Sequence, residues 1–168
     1  MMLFGGTFDP VHNAHLNMAA QCVAHFNERP LFFMPNRVPA HKQTSGISNT
    51  DKLAMLKLAI ADNNAFDIDE RELHRQGPSY SLLSVQELRQ QLDSEGKQDE
   101  PILFLMGMDS FNSFDKWYQW QDILALCHLV VYQRPHEVLA PSEQLRSYLD
   151  THTCSEPQAL GTSLSGGV

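Results

Sequence analysis

The stretch that decides the fold is Met2-Leu3-Phe4-Gly5-Gly6-Thr7-Phe8-Asp9-Pro10-Val11-His12-Asn13-Ala14-His15-Leu16. An apolar run cut off by two glycines reads as the end of a buried strand. A helix follows from near Asn13, carrying Ala14, Leu16, Met18, Ala19, Ala20 and Val23. Strand, glycine bend and helix in that order bring backbone N–H groups and the positive end of a helix dipole to one spot, which suits a phosphate. Glycine keeps a Cβ out of a ligand's way there. His12 and His15 are three apart, so a first helical turn points both imidazoles the same way. Imidazoles so placed donate to phosphate oxygens and offset the charge that grows as a phosphoryl group transfers. Taken singly, these features have ordinary explanations: a glycine pair after a strand is usually a turn, and two histidines three apart usually lie on the surface. Zinc is a poor third reading, because no further ligand stands at a suggestive spacing. The loop carries neither G-x-G-x-x-G nor a Walker lysine.

The same punctuation recurs along the chain. Leu31-Phe32-Phe33-Met34 stops at Pro35, Ile102-Leu103-Phe104-Leu105-Met106 stops at Gly107, and Leu129-Val130-Val131-Tyr132 runs to Pro135. These runs are continuous rather than alternating, as parallel strands covered on both faces must be. Phe66-Asp67-Ile68 reads as a shorter strand. Between them, Thr50 or Asp51 caps a helix bearing Leu53, Leu56 and Ile60, and Leu82, Val85, Leu88 and Leu92 mark the stripe of another. Alternating strands and helices imply an α/β fold with a parallel sheet and right-handed crossovers. Ligands of such sheets sit beyond the carboxyl ends of the strands, which is where the notable residues fall.

With 168 residues, the chain has room for one domain, expected over 1–150, followed by an irregular tail over 151–168 whose glycine-rich end reads as flexible. Lys and Arg number 12 against 20 Asp and Glu, a net charge of −8. That balance argues against nucleic acid or an anionic membrane as a partner, while leaving room for a local anion site. No apolar run approaches a membrane span, and nothing at the start reads as a cleavable signal. The cysteines Cys22, Cys127 and Cys154 are odd in number and far apart, which points to a reducing, cytoplasmic setting rather than a disulfide framework.

The string from Gly5 to Leu16 resembles the first motif of the H-x-G-H nucleotidyltransferases, with Ala14 where that superfamily usually has Gly. Within it, the likeness is to the nicotinate-nucleotide adenylyltransferase family and covers roughly residues 2 to 150. Pro35-Asn36-Arg37-Val38-Pro39-Ala40-His41-Lys42 resembles the P-N-x-x-P-P-H-[KR] loop, with Ala40 for the second Pro. Asp69–Leu73 and Pro78–Ser81 resemble the D-x-x-E-L and P-S-Y-T segments, Ser81 keeping the hydroxyl. Gly107-Met108-Asp109-Ser110 matches G-x-D-S, Trp117-Tyr118 a W-Y pair, and Gln133-Arg134-Pro135 the x-R-P that ends the last strand.

The resemblance implies a Rossmann-like, doubly wound parallel sheet of about five strands with helices on both faces. It implies adenylyl transfer from ATP to nicotinate mononucleotide, releasing pyrophosphate, in NAD biosynthesis. ATP would then meet Gly5, Gly6, Thr7, Phe8, His12 and His15 on the first loop, and Gly107, Asp109 and Arg134 further on. Asp109 would accept from a ribose hydroxyl, although a carboxylate there also suits a helix cap. Arg134 would fix nearby carboxylates or face adenine. The mononucleotide would meet Asn36, His41, Lys42 and Ser81, with Trp117 and Tyr118 framing its ring. His12, His15 and Lys42 would carry the catalytic charge, and Mg²⁺ would arrive bound to the ATP phosphates. The family's C-terminal I-S-[ST]-x-x-I-R string has no counterpart here. The tail is therefore expected to lack that segment, and two other readings follow: a phosphopantetheine or other H-x-G-H adenylyltransferase, or a shortened nucleotide-binding module with little turnover.

Overall fold

The computed structural model describes residues 1–37, 47–154, 160 and 163–168. Five strands make an all-parallel sheet, and the chain divides into two compact units, Met2–Ser79 and Tyr80–Val168 with Met1. The first unit runs β1 (Met2–Gly6), α1 (Asn13–His25), β2 (Leu31–Pro35), α2 (Asn49–Ile60), β3 (Phe66–Ile68) and α3 (Arg71–His74). The second runs α4 (Ser81–Ser94), β4 (Leu103–Gly107), α5 (Met108–Phe111), a 3-10 turn (Phe114–Lys116), α6 (Trp120–Leu124), β5 (His128–Tyr132) and α7 (Glu143–His152).

In Met2–Ser79, β2 pairs in parallel with β1 on one side and β3 on the other. Gly5 and Gly6 do not end the first strand; they complete it, facing Met34 and Pro35 in register. A ladder needs only N–H and C=O groups, and the Gly6 carbonyl accepts from the Asn36 N–H at 2.9 Å. The core is aromatic: Phe33 lies 5.5 Å from Phe4, 5.4 Å from Phe8 and 5.4 Å from Phe66, ring centre to ring centre. Ser48 caps α2 by accepting from the Asp51 N–H. That helix buries Lys52, Leu56 and Ile60 rather than the expected Leu53, Leu56 and Ile60, so a charged residue sits on the core stripe.

In Tyr80–Val168, β4 and β5 pair in parallel from Leu103 opposite His128 to Gly107 opposite Tyr132. The expected stripe of Leu82, Val85, Leu88 and Leu92 is the buried face of α4. Ser142 caps α7 by accepting from Leu145 N–H.

The tail forms no helix or strand over 163–168, yet it is tied down. Leu129 N–H donates to the Gly167 carbonyl and Gly166 N–H to that of Cys127. His128, fully enclosed, accepts from Gly167 N–H on Nδ1 at 2.9 Å and reaches the Ser163 carbonyl through Nε2 at 2.8 Å. Accepting on Nδ1 puts the ring proton on Nε2, so one neutral imidazole grips the tail at two points. The flexibility read from glycine content overlooked these backbone bonds.

None of the three cysteines is in a disulfide. Burial pushes the Cys22 thiol up to about 11 and the Cys127 thiol up to about 12, and only the thiolate is nucleophilic. Half-exposed Cys154 should therefore take iodoacetamide first at pH 8, with Cys22 and Cys127 labelled only after denaturation, as mass spectrometry of the native and unfolded protein would record.

Candidate active site

In Met2–Ser79 the loop after β1 turns on Phe8, whose φ of +44° is uncommon for a bulky residue and costs about 1–3 kcal/mol. Packing holds it there. The ring is 2% exposed and meets Phe4 edge-on at 5.3 Å and His15 at 5.1 Å. A Cβ on Gly6 would stand 2.8 Å from the Phe8 ring. The space that glycine leaves at this point is thus filled by the chain itself.

The turn delivers His12 to the N-cap of α1 and His15 to its third residue. Their rings stack at 3.8 Å with 21° between planes. His12 N–H donates to His15 Nδ1 at 3.3 Å, which leaves Nε2 as the protonated nitrogen of the neutral ring. The side chain at the third position thereby does the work of the acid in a capping box. The first turn of α1 holds no acidic residue, so no carboxylate competes there for the helix dipole. His12 is exposed and His15 half-buried, and Thr7 beside them is half-buried.

Asn36 contributes its backbone: its N–H goes to Gly6, and its carbonyl accepts from Lys52 Nζ at 2.8 Å. Lys52 is 3% exposed. Burial lowers its basicity, an effect that the charge of Asp9 only partly offsets. Arg37, the next residue, is anchored by N–H to Ser79 Oγ and by its guanidinium to the Arg75 carbonyl. Asp69 of the D-x-x-E-L segment accepts the Arg71 guanidinium in a buried ion pair. His41 and Lys42 lie outside the described residues.

In Tyr80–Val168, Gly107 ends β4 and is itself the N-cap of α5. Asp109 sits inside the first turn and is not the N-cap residue, although a carboxylate there still complements the helix dipole. Its Oδ1 lies 2.7 Å from where a Gly107 Cβ would be, and an Arg134 guanidinium nitrogen 3.9 Å from the same point. Glycine at 107 therefore lets a carboxylate and a guanidinium converge above the strand end. Arg134 is steadied by Glu137, which accepts its N–H at 2.8 Å and its guanidinium at 3.4 Å.

Trp117 and Tyr118 diverge. Trp117, half-buried, leans on Phe114 at 5.3 Å and Phe104 at 6.3 Å. Tyr118, half-exposed, stacks on Tyr80 at 4.6 Å and 26°. Ser81 is the first residue of α4, half-buried behind Tyr80.

Sequence reasoning passed over Lys52, Asp9, Tyr80 and Glu137. Lys52 was findable: it precedes Leu56 and Ile60 at four-residue spacing, the period of a buried stripe. The Tyr80–Tyr118 stack and the Glu137 brace have no such period to reveal them.

The cytidylyltransferase-like family model matches residues 3–155. The chain is 35% identical over 167 residues to a probable nicotinate-nucleotide adenylyltransferase of Yersinia pestis, spanning 99% of this chain and 74% of that protein. A probable nicotinate-nucleotide adenylyltransferase of Pseudomonas aeruginosa is 37% identical over 158 residues, 94% of this chain and 72% of the other. Among solved structures, Plasmodium falciparum nicotinic acid mononucleotide adenylyltransferase matches with a TM-score of 0.66 in complex with APC and 0.63 in complex with NaAD. Both cover 87% of this chain, and 68% and 69% of theirs, at 13% and 17% identity. Those structural matches show the fold, the Rossmann-like parallel α/β architecture of nucleotidyltransferases. With the family model and the curated relatives in agreement over nearly the whole sequence, the chain belongs to the nicotinate-nucleotide adenylyltransferase family of cytidylyltransferase-like proteins.

Proposed function

We propose that the chain transfers the adenylyl group of ATP to nicotinate mononucleotide, forming nicotinate adenine dinucleotide and pyrophosphate, as a cytoplasmic step of NAD biosynthesis. The observation that carries this reading is the stacked His12–His15 pair on the acid-free first turn of α1. Family membership supplies the substrates.

The nucleophile is a phosphate oxygen of the mononucleotide, already anionic, so no general base is needed. It attacks the α-phosphorus of ATP in line, and pyrophosphate leaves on the opposite side. Positioning and neutralising charge are then the protein's whole task. On this reading His12 and His15 donate to the phosphates beside the Gly5, Gly6, Thr7 and Phe8 backbone, and Lys42 adds a point charge. Asp109 takes a ribose hydroxyl above Gly107, with Arg134 close by. Asn36, His41 and Ser81 hold the mononucleotide, and Trp117 and Tyr118 frame a pyridinium whose positive charge favours an aromatic face. Among the described residues no group of three or more His, Cys, Asp or Glu is placed to hold a metal ion. Mg²⁺ enters this account bound to the ATP phosphates, as part of the substrate MgATP. No helix among the described residues is long and apolar enough to cross a membrane.

The testing experiment is steady-state pyrophosphate release with ATP and, in turn, nicotinate mononucleotide, nicotinamide mononucleotide and phosphopantetheine. Preference for the first supports the proposal; preference for phosphopantetheine, or binding without turnover, defeats it. Two substitutions sharpen it. His15→Ala should lower kcat by about 10²–10³, the usual cost of one charge-stabilising donor, while the melting temperature moves by only a few degrees. Gly107→Ala should push the Asp109 carboxylate aside and raise KM for ATP about ten- to a hundredfold, the loss expected for a hydrogen bond to a charged group. Its folding should be little changed, because the displaced atom ends a flexible side chain.

A further inference from the structure

A lysine on a core stripe needs a reason. Burying an ammonium is costly unless it is paired and hydrogen-bonded, and methionine would fill the same volume with no such cost. Lys52 is nevertheless 3% exposed, one α-helical turn before fully buried Leu56. Its Nζ reaches the Asn36 carbonyl at 2.8 Å. Asp9, whose Oδ1 is shut off from solvent, is the charge that favours its ammonium form.

Asn36, whose carbonyl Lys52 bonds, and Asp9, whose charge bears on it, belong to the two segments that the proposed chemistry uses. Asp9 follows Phe8, at the positive-φ turn that leads to His12. Asn36 is the first residue past β2, and its N–H is already committed to Gly6. One buried cation thus bonds the Asn36 segment and carries its charge close enough to Asp9 to feel it.

We propose that Lys52 is a positioning residue for adenylyl transfer, its ammonium fixing the Asp9 turn against the Asn36 carbonyl so that the His12–His15 pair and the Asn36 loop keep their spacing. The assignment rests on the adenylyl-transfer reading above. It separates stability from chemistry, because a buried cation and the carboxylate that favours it can be exchanged together for neutral groups with little loss of stability, whereas a displacement of about 1 Å in a reacting group can cost 10²-fold in rate.

The test compares wild type, Lys52→Met, the double variant Lys52→Met with Asp9→Asn, and Lys52→Arg, by thermal melting and steady-state pyrophosphate release with ATP and nicotinate mononucleotide. Lys52→Met alone removes the buried cation whose charge Asp9 feels and should lose both stability and turnover. The double variant should recover the melting temperature while kcat stays about 10²-fold low and both KM values stay within about threefold. Recovery of kcat together with stability would show a purely structural lysine and overturn the inference. If the double variant does not fold, Lys52→Arg decides: it keeps the charge but not the compact ammonium geometry, so kcat should fall several-fold at unchanged melting temperature, and an unchanged kcat refutes the assignment. A wild-type protein inert towards these substrates would instead remove the underlying reading, and this inference with it.

Discussion

Everything at the front of this molecule follows from the missing side chain at position 6. With no Cβ there, the Phe8 ring folds back under the strand end, into space that a methyl group would invade at 2.8 Å. That ring then serves as a wedge between Phe4, Phe33 and His15. The same packing keeps Phe8 in a left-handed conformation and aims the chain so that α1 starts at His12. The backbone strain and the aromatic core are therefore two sides of one arrangement, the packing holding a turn that isolated peptide chemistry disfavours.

Charge is handled locally in a chain that is acidic as a whole. A net charge of −8 repels anions at a distance, yet it does not decide what a single helix terminus will bind. Helices α2 and α7 carry Asp51 and Glu143 in their first turns, the usual complement to a helix dipole. Helix α1 carries none and presents two imidazoles instead. Further back, Lys52 buries its charge near the half-buried Asp9, and in Tyr80–Val168 Arg134 is held by Glu137 close to Asp109. Lys52 and Arg134 are each held by a named partner, Asn36 and Glu137, which is the preorganisation that charge-stabilising catalysis requires.

Much of this was legible from residue order. Strand runs closed by Gly or Pro gave the parallel α/β class, and the stripe of Leu82, Val85, Leu88 and Leu92 became the buried face of α4 as its spacing requires. The misreadings have physical causes. Gly5 and Gly6 were read as cutting the first strand off after Phe4, but backbone pairing is indifferent to side chains, and both are its last paired residues. Leu53 was placed on the buried stripe by its three- and four-residue spacing to Leu56 and Ile60, but Lys52 fits the same face at four-residue spacing and is the one buried. The anchored tail was missed because its bonds are non-local, to Cys127, His128 and Leu129 and to Tyr148, His152 and Cys154. The divergence of Trp117 and Tyr118 is likewise tertiary, since adjacent residues in a turn carry no information about which ring each will meet.

The central claim is that the glycine bend and the paired imidazoles form the cradle for the triphosphate. A crystal structure of the chain with a non-hydrolysable ATP analogue tests it most directly. The account predicts phosphate oxygens within hydrogen-bonding distance of the His12 and His15 rings at the start of α1. A triphosphate seated elsewhere, with both imidazoles facing only solvent, would contradict it.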